Sequence, residues 1–318
     1  MFDLVIIGAA AAGSSAAIYA ARRNLNFIII TKDIGGEVAL SGEVENWPGI
    51  QKISGFELAK NFEDHVKSYG VKIEEGLEVT QIKQEKNYHI VTTKNVLGEE
   101  KSFETIAVVI ASGIHPRQLN IPGEKEFRGK GVTYCTVCDG PFFKGKITAT
   151  IGSGNSALES ALMLGTMVTK GYVLTKYDNT PEDKGGFPKG ENILIDKVKK
   201  LQNIEILYNT DITEIIGNTF VEKIKYTNKK TGETHELETN GVMIHAGLVP
   251  NSDFVTCGTK TPAKELEIDI RCKTSCPGVF AAGDVTNIPY KQISISAGQG
   301  AIAALSAIDY INKWRLEE

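Results

Sequence analysis

Residues 3–30 read "DLVIIGAAAAGSSAAIYAARRNLNFIII", and the order of residue types in them decides the fold. The run "DLVII" at 3–7 is rich in β-branched side chains and ends at Gly8. An alanine-rich stretch of helix formers follows, and "NFIII" at 26–30 is again strand-like. Strand, glycine turn, helix, strand is a βαβ unit. The same grammar returns at 146–175, "KITATIGSGNSALESALMLGTMVTKGYVLT", with Gly152 opening a turn 144 residues after Gly8. Two such units predict an α/β chain with two Rossmann-like, dinucleotide-binding domains, each a parallel sheet with helices.

Outside the two units the chain adds strand-like runs separated by polar turns. Over 71–110, "VKIEEGLEVTQIKQ", "YHIVTTK" and "TIAVVIAS" predict a small antiparallel β-meander. A second meander is predicted from "IEILYNTDITEIIG" (204–217), "VEKIKYTNKK" (221–230) and "ETNGVMIHAG" (238–247). The last stretch returns to strand and helix, "GVFAAGDV" and then "SISAGQGAIAALSAIDYINKW". Residues 175–192, "TKYDNTPEDKGGFPKGEN", are rich in Gly, Pro and charge and predict an exposed loop. The expected domains are 1–113 with 248–318, interrupted by 114–247.

The 318 residues are 42% hydrophobic and 23% charged, with a formal net charge of −4. That composition supplies ample core for two domains and argues against nucleic acid, whose partners carry a basic face. No run approaches the roughly 18 consecutive apolar residues of a membrane helix, and the N-terminal apolar run reads as a strand rather than a signal peptide. Five cysteines are too few for a disulfide-rich secreted scaffold. A cytoplasmic protein is expected.

The first turn, Gly8-x-Ala10-x-x-Gly13, departs from G-x-G-x-x-G only at its middle position. Gly8 allows the tight turn, Gly13 allows helix and strand to pack closely, and the helix N-terminus offers amides to a pyrophosphate. Ala10 adds a methyl where the backbone should approach the phosphates.

"GVTYCTVCDGPFF" at 131–143 carries the chemistry. Cys135 and Cys138 form a Cys-x-x-Cys pair followed by Asp139. A zinc site needs four ligands; Cys272 and Cys276 offer a second pair, but no histidine lies near either in sequence. A static disulfide is disfavoured in a cytoplasmic setting. The residues favour a redox pair, since two thiols at this spacing close and reopen during exchange. Asp139 is placed to manage the proton such a step consumes, although a turn or helix-cap role is the plainer reading of an Asp before Gly-Pro. Cys257, Cys272 and Cys276 read as unpaired or surface thiols.

Together with "GGEVALSGEVENWPG", "VVIASG" and "GVFAAGDVTNIPYKQISISAGQGAIAA", these motifs make the chain resemble the low-molecular-weight thioredoxin reductases over nearly its whole length. The resemblance implies FAD in the first domain. It places Gly8, Ala10, Ala12 and Gly13 at the phosphates, and Gly35, Gly36 and Glu37 in a loop beside the flavin. Asn46 faces the ring, Ala111 and Gly113 flank the cofactor, and Gly283 with Asp284 holds its ribityl or phosphate end. Lys291, Gln292 and Ile293 lie at the pyrimidine edge. Glu37 and Lys291 stand where the family more often has Gln and Arg. The resemblance also makes Cys138 flavin-proximal, Cys135 the thiol that meets thioredoxin, and Asp139 the acid/base. It further implies a homodimer, and a domain rotation about crossings near 113–117 and 246–250.

The electron donor reads differently. Gly152-x-Gly154-x-x-Ala157 is a good dinucleotide turn, but no arginine follows the next strand to grip a 2′-phosphate. Only Lys176 and Lys184 do, among Asp178, Glu182 and Asp183. Nor does an acidic residue at Thr175 await an NAD ribose. The pattern weighs against NADPH, and in this the chain is similar to the ferredoxin-dependent flavin thioredoxin reductases. Lys197, Lys199 and Lys200, or Lys125, Arg128 and Lys130, are candidate docking cations for an acidic ferredoxin. An NADPH-dependent reductase, an oxygen-using dithiol oxidase and a non-enzymatic flavin-binding module are the alternatives.

Overall fold

The computed structural model describes residues 1–41 and 43–314; the last positions of the expected first domain, 315–318, lie outside the described residues. The chain divides into two compact units, Met1–His115 with Val249–Glu318, and Pro116–Leu248.

The first unit runs β1 (Phe2–Ala9), α1 (Ala11–Ala21), β2 (Phe27–Ile34), α2 (Gly36–Ala39), β3 (Glu43–Val44), β4 (Ile53–Ser54), α3 (Gly55–Ser68) and β5 (Ile73–Glu75). It continues with β6 (Glu78–Glu85), β7 (Tyr88–Lys94), β8 (Glu100–Ile110) and β9 (Ile114–Pro116). Its main sheet is ordered β5-β2-β1-β8-β7-β6. Strand β1 is parallel to β2 and β8, in register Ile6↔Ile29 and Ile6↔Val109. The long strand β8 serves two pairings in succession. Residues 100–105 pair antiparallel with β7, and 105–110 pair parallel with β1. The meander expected over 71–110 is therefore continuous with the parallel sheet rather than separate from it.

Alternating side chains of these strands face two cores, as strands buried on both sides must. Leu4, Ile6, Ile29 and Val109 pack with α1 and the C-terminal helix; Val5, Ile7, Ile28 and Val108 pack with the β6–β8 meander. The alanine-rich sequence of α1 has a packing reason. A Cβ at Gly300 would lie 2.0 Å from the Ala12 carbonyl oxygen, so the two helices meet backbone to backbone. Helix α3 begins with a capping box, Ser54 with Glu57.

The second unit comprises β10 (Val132–Thr133), α4 (Thr136–Asp139), β11 (Ile147–Ile151), α5 (Asn155–Gly165), β12 (Lys170–Leu174), α6 (Asn192–Lys199) and β13 (Ile204–Leu207). Then follow β14 (Thr210–Gly217), β15 (Val221–Asn228), β16 (Thr234–Glu238) and β17 (Gly241–Ile244). A parallel sheet, β10-β17-β11-β12-β13, carries helices on one face and the antiparallel β14-β15-β16 sheet on the other. Here the expected meander is corrected twice. Residues 204–207 and 241–244 belong to the parallel sheet, and 241–244 are central in it. Gly241–Ile244 is buried throughout, and a strand covered on both faces loses the alternation that would have marked it.

The chain returns to the first unit along β18 (Leu248–Pro250), which pairs with β9, and ends in β19 (Val279–Ala281) and α7 (Ile293–Ile311). Among the described residues no helix is long and apolar enough to cross a membrane.

Candidate functional site

In the first unit, the turn between β1 and α1 leaves no room for a side chain at either of its glycines. A Cβ on Gly8 would sit 2.2 Å from the Ala111 carbonyl oxygen, and one on Gly13 would sit 1.9 Å from that of Gly8. Gly8 has φ +106°, a conformation that only glycine adopts freely. Ala10 is the N-cap of α1, and Ala11, Ala12 and Gly13 form its buried first turn. Gly35 (φ +87°) donates its amide to the Ala9 carbonyl at 3.1 Å, which brings Gly35 and Gly36 beside that turn. Glu37 lies in the first turn of α2.

The turn after β19 is built from α7. Gln299 Oε1 accepts from the Gly283 amide at 2.8 Å, and Ser296 donates its hydroxyl to Asp284 Oδ1 at 2.9 Å. Burial raises the Asp284 pKa, while Ser296 and Lys291 oppose the shift. Asn46 Nδ2 donates to Gln292 Oε1 at 3.1 Å, joining residues 246 positions apart. Gln292 caps α7 and Ile293 begins it, packing against the cluster of Val38, Val44, Leu58 and Ala59. The Lys291 ammonium is committed within the unit, to Glu265 at 2.8 Å and the Thr286 carbonyl at 2.5 Å. Gly113 has open space around its Cα. Ser296 and Gln299 escaped the sequence reading. Their signal was there, polar residues three apart near the start of a helix rich in small and apolar residues, about three turns of sequence after Gly283-Asp284.

In the second unit, Cys135 and Cys138 are joined as a disulfide with Cα atoms 5.3 Å apart. Cys135 caps α4, and its Sγ accepts from the Cys138 amide at 3.2 Å. Asp139 closes the same turn. Its Oδ2 accepts from the Thr133 hydroxyl, and its buried Oδ1 has no hydrogen-bond partner among the described residues. Burial raises the Asp139 pKa and the Thr133 hydrogen bond opposes it. Thr133 also accepts from the Cys135 amide at 3.1 Å, so one hydroxyl ties the cysteine to the acid.

Thr136, between the cysteines, points inward. Its hydroxyl shares hydrogen bonds with Ser160 Oγ at 2.6 Å and His245 Nε2 at 3.0 Å. Desolvation pushes the His245 pKa down to about 4, so the imidazole is neutral at physiological pH. This threonine–serine–histidine support was not visible in sequence, because Ser160 and His245 come from α5 and the end of β17.

The second glycine turn is filled by the chain itself. Gly154 forms a β-bridge with Lys189, and Asn155, the first residue of α5, exchanges two hydrogen bonds with Glu191 at 2.9 and 2.8 Å. Phe187 is fully buried among Leu158, Ala161 and Val173. Thr175 donates its hydroxyl to the Gly186 carbonyl at 2.6 Å. The expectation of an exposed loop over 175–192 is thus corrected. Lys176, Asn179, Pro181, Glu182 and Lys184 are exposed, but Thr175, Gly185, Gly186, Phe187 and Gly190 are buried, and the large apolar side chain of Phe187 folds the loop down. Asp178 is paired with Lys230.

Two of the remaining cysteines are also corrected. Cys257 and Cys276 form a disulfide with Cα atoms 5.8 Å apart, whereas Cys272 is unpaired as expected, a buried free thiol. Residues 272 and 276 face opposite cores of the sheet, which separates two cysteines that look like neighbours in sequence.

The family model for pyridine nucleotide-disulphide oxidoreductases matches residues 2–303. The F subunit of alkyl hydroperoxide reductase from Pseudomonas putida is 38% identical over 315 residues, covering 98% of this chain and 58% of that protein. The chain therefore spans somewhat over half the length of that curated relative. The crystal structure of thioredoxin reductase from Streptococcus pyogenes is similar at 33% identity and a TM-score of 0.88, covering 99% of both chains. A ferredoxin-flavin thioredoxin reductase from Clostridium acetobutylicum is similar at 31% identity and a TM-score of 0.52, covering 98% of both chains.

Proposed function

The chain belongs to the pyridine nucleotide-disulphide oxidoreductase family, and from that premise we propose that it is a disulfide oxidoreductase of the thioredoxin reductase type, with Cys135–Cys138 as its redox pair. In this reading it uses FAD to reduce thioredoxin, with electrons from reduced ferredoxin rather than NADPH.

The first unit fits FAD. Gly8 and Gly13 stand where any side chain would strike backbone, and Gly283 has φ +77° with Ala12 and Ser296 tight beside it, an arrangement that suits backbone amides approaching a pyrophosphate at the start of α1. Asp284, oriented by Ser296, would hold the ribityl or phosphate end, and the hydrogen-bonded pair Asn46–Gln292 would meet the ring edge. FAD, when bound, supplies the electron pair that opens the disulfide. Cys135 then attacks the disulfide of thioredoxin, and Cys138 closes back onto Cys135 to release the product. Asp139 moves the proton. Burial keeps its carboxyl protonated to higher pH than an ordinary aspartate, and Oδ1 is the oxygen with capacity to carry it.

One observation carries the choice of donor: Glu191, held by Asn155 at the first residue of α5. A carboxylate and a packed loop occupy the place where a nucleotide pyrophosphate would meet that helix N-terminus, and like charge repels it. The ferredoxin-flavin relative supports a ferredoxin donor, with Lys197 and Lys199 in the last turn of α6 as docking cations. A homodimer in the cytoplasm belongs to the same reading. The alkyl hydroperoxide reductase relatives favour a second reading, in which the electrons serve hydroperoxide reduction.

The test is anaerobic reduction of the purified flavoprotein with NADPH, NADH and reduced ferredoxin in parallel, each followed by thioredoxin. Bleaching by ferredoxin alone, with thioredoxin reduced, is expected. Rapid bleaching by micromolar NADPH would overturn the choice of donor. Transfer to a hydroperoxide-reducing partner but not to thioredoxin would select the second reading.

A further inference from the structure

The pair Cys257–Cys276 lies in the first unit, and its two cysteines differ in access. Cys257 is half-buried between exposed Thr256 and Gly258, whereas Cys276 is 5% exposed and packs into the sheet core. The bond closes a loop, residues 258–275, that contains no helix or named strand. The loop is instead held by what it touches. Leu266, fully buried, donates its amide to the Val285 carbonyl at 2.9 Å and accepts from the Asn287 amide at 3.0 Å. Glu265 pairs with Lys291 at 2.8 Å. At the far end, Cys276 accepts from the Val279 amide at 3.1 Å, at the foot of the strand that leads into Gly283 and Asp284.

We infer that Cys257 and Cys276 form a second redox site, a disulfide clasp that opens and closes by thiol exchange at Cys257 and sets how firmly loop 257–276 holds the 283–291 turn. The reductant is a dithiol. Its thiolate attacks Cys257 Sγ, the bond to Cys276 breaks, and Cys276 leaves as a thiolate and takes a proton. The second thiol of the reductant then attacks the mixed disulfide and frees Cys257, so the dithiol loses two electrons and two protons. Closure takes a hydroperoxide. The Cys257 thiolate becomes a sulfenic acid as the O–O bond breaks, and the Cys276 thiol displaces water to restore the disulfide. Cys272 stays out of the exchange, being buried in the opposite core with its pKa pushed up to about 12. Where the flavin reading above holds, opening the clasp also loosens the turn that carries Asp284. That consequence rests on the flavin reading; the clasp itself does not.

The test uses the full chain with Cys135→Ser and Cys138→Ser, treated with hydrogen peroxide or dithiothreitol, then denatured and alkylated. Intact mass should show one alkylated thiol after peroxide, Cys272, and three after dithiothreitol. Three in both states, or Cys272 found in a disulfide, would overturn the assignment. In the folded protein, trypsin should cut at Lys260, Lys264 or Arg271 about tenfold faster after dithiothreitol, because opening restores the freedom of the closed loop. Cys257→Ser should show the fast rate under both treatments. Equal rates on the parent chain would sink the clasp as the element that holds the loop. Neither readout uses flavin, so both stand or fall apart from the cofactor.

Discussion

Asp139 and His245 sit in environments that their places in the sequence do not announce. Asp139 sits in "CDGP", where a turn residue is the plain reading, yet Thr133 holds one of its oxygens and burial leaves the other without a partner among the described residues. Asp139→Asn keeps the shape and removes the titration. Turnover of a disulfide substrate should fall about 10²-fold, while the thermal midpoint should hold or rise because no buried charge remains. Full turnover in that variant would remove Asp139 from proton transfer. His245 predicts a pH effect on stability. Its folded-state pKa is depressed from 6.5 to about 4. Its contribution is therefore complete above pH 6.5 and is lost as pH falls toward 4, because the unfolded chain takes the proton first. The loss reaches at most about 3 kcal/mol, reduced by the solvent contact the residue keeps. Urea unfolding of wild type and His245→Gln at pH 7.5 and pH 4.5 would show it. The variant should lose less stability on acidification.

At the scale of elements, the βαβ units were legible because two periods and two glycine turns repeat 144 residues apart. The strands at 204–207 and 241–244 were not separable from the meander because they sit next to its strands in sequence, whereas only the fold pairs them parallel to β12 and β11. The 175–192 loop was misread for a related reason. Composition marks it as exposed, and one residue, Phe187, packs it down. Phe187→Ala should destabilise the second unit by about 3–5 kcal/mol, measured by chemical denaturation. A loss below about 1 kcal/mol would mean that the loop does not depend on this side chain.

At the scale of the molecule, each hydrophobic cluster among the described residues lies within a single unit. Cores around Ile6, Val108 and Leu58 belong to the first; cores around Ile151, Leu158 and Met243 belong to the second. Residues 116–248 expressed alone should therefore unfold in one cooperative urea transition and retain the Cys135–Cys138 disulfide; a molten excised unit would show that it needs the rest of the chain. What the sequence determined by itself was the α/β class, the repeated glycine turns and the Cys-x-x-Cys-Asp chemistry. All of these are local, carried by residues within a few positions of each other. Only the tertiary structure decided three other features. Cys276 bonds with Cys257 rather than standing near Cys272. Ser160 and His245 meet under Thr136. Glu191 folds onto Asn155 and covers the second glycine turn. Each joins residues distant along the chain, and such meetings follow from how sheets and helices stack, which no local pattern encodes.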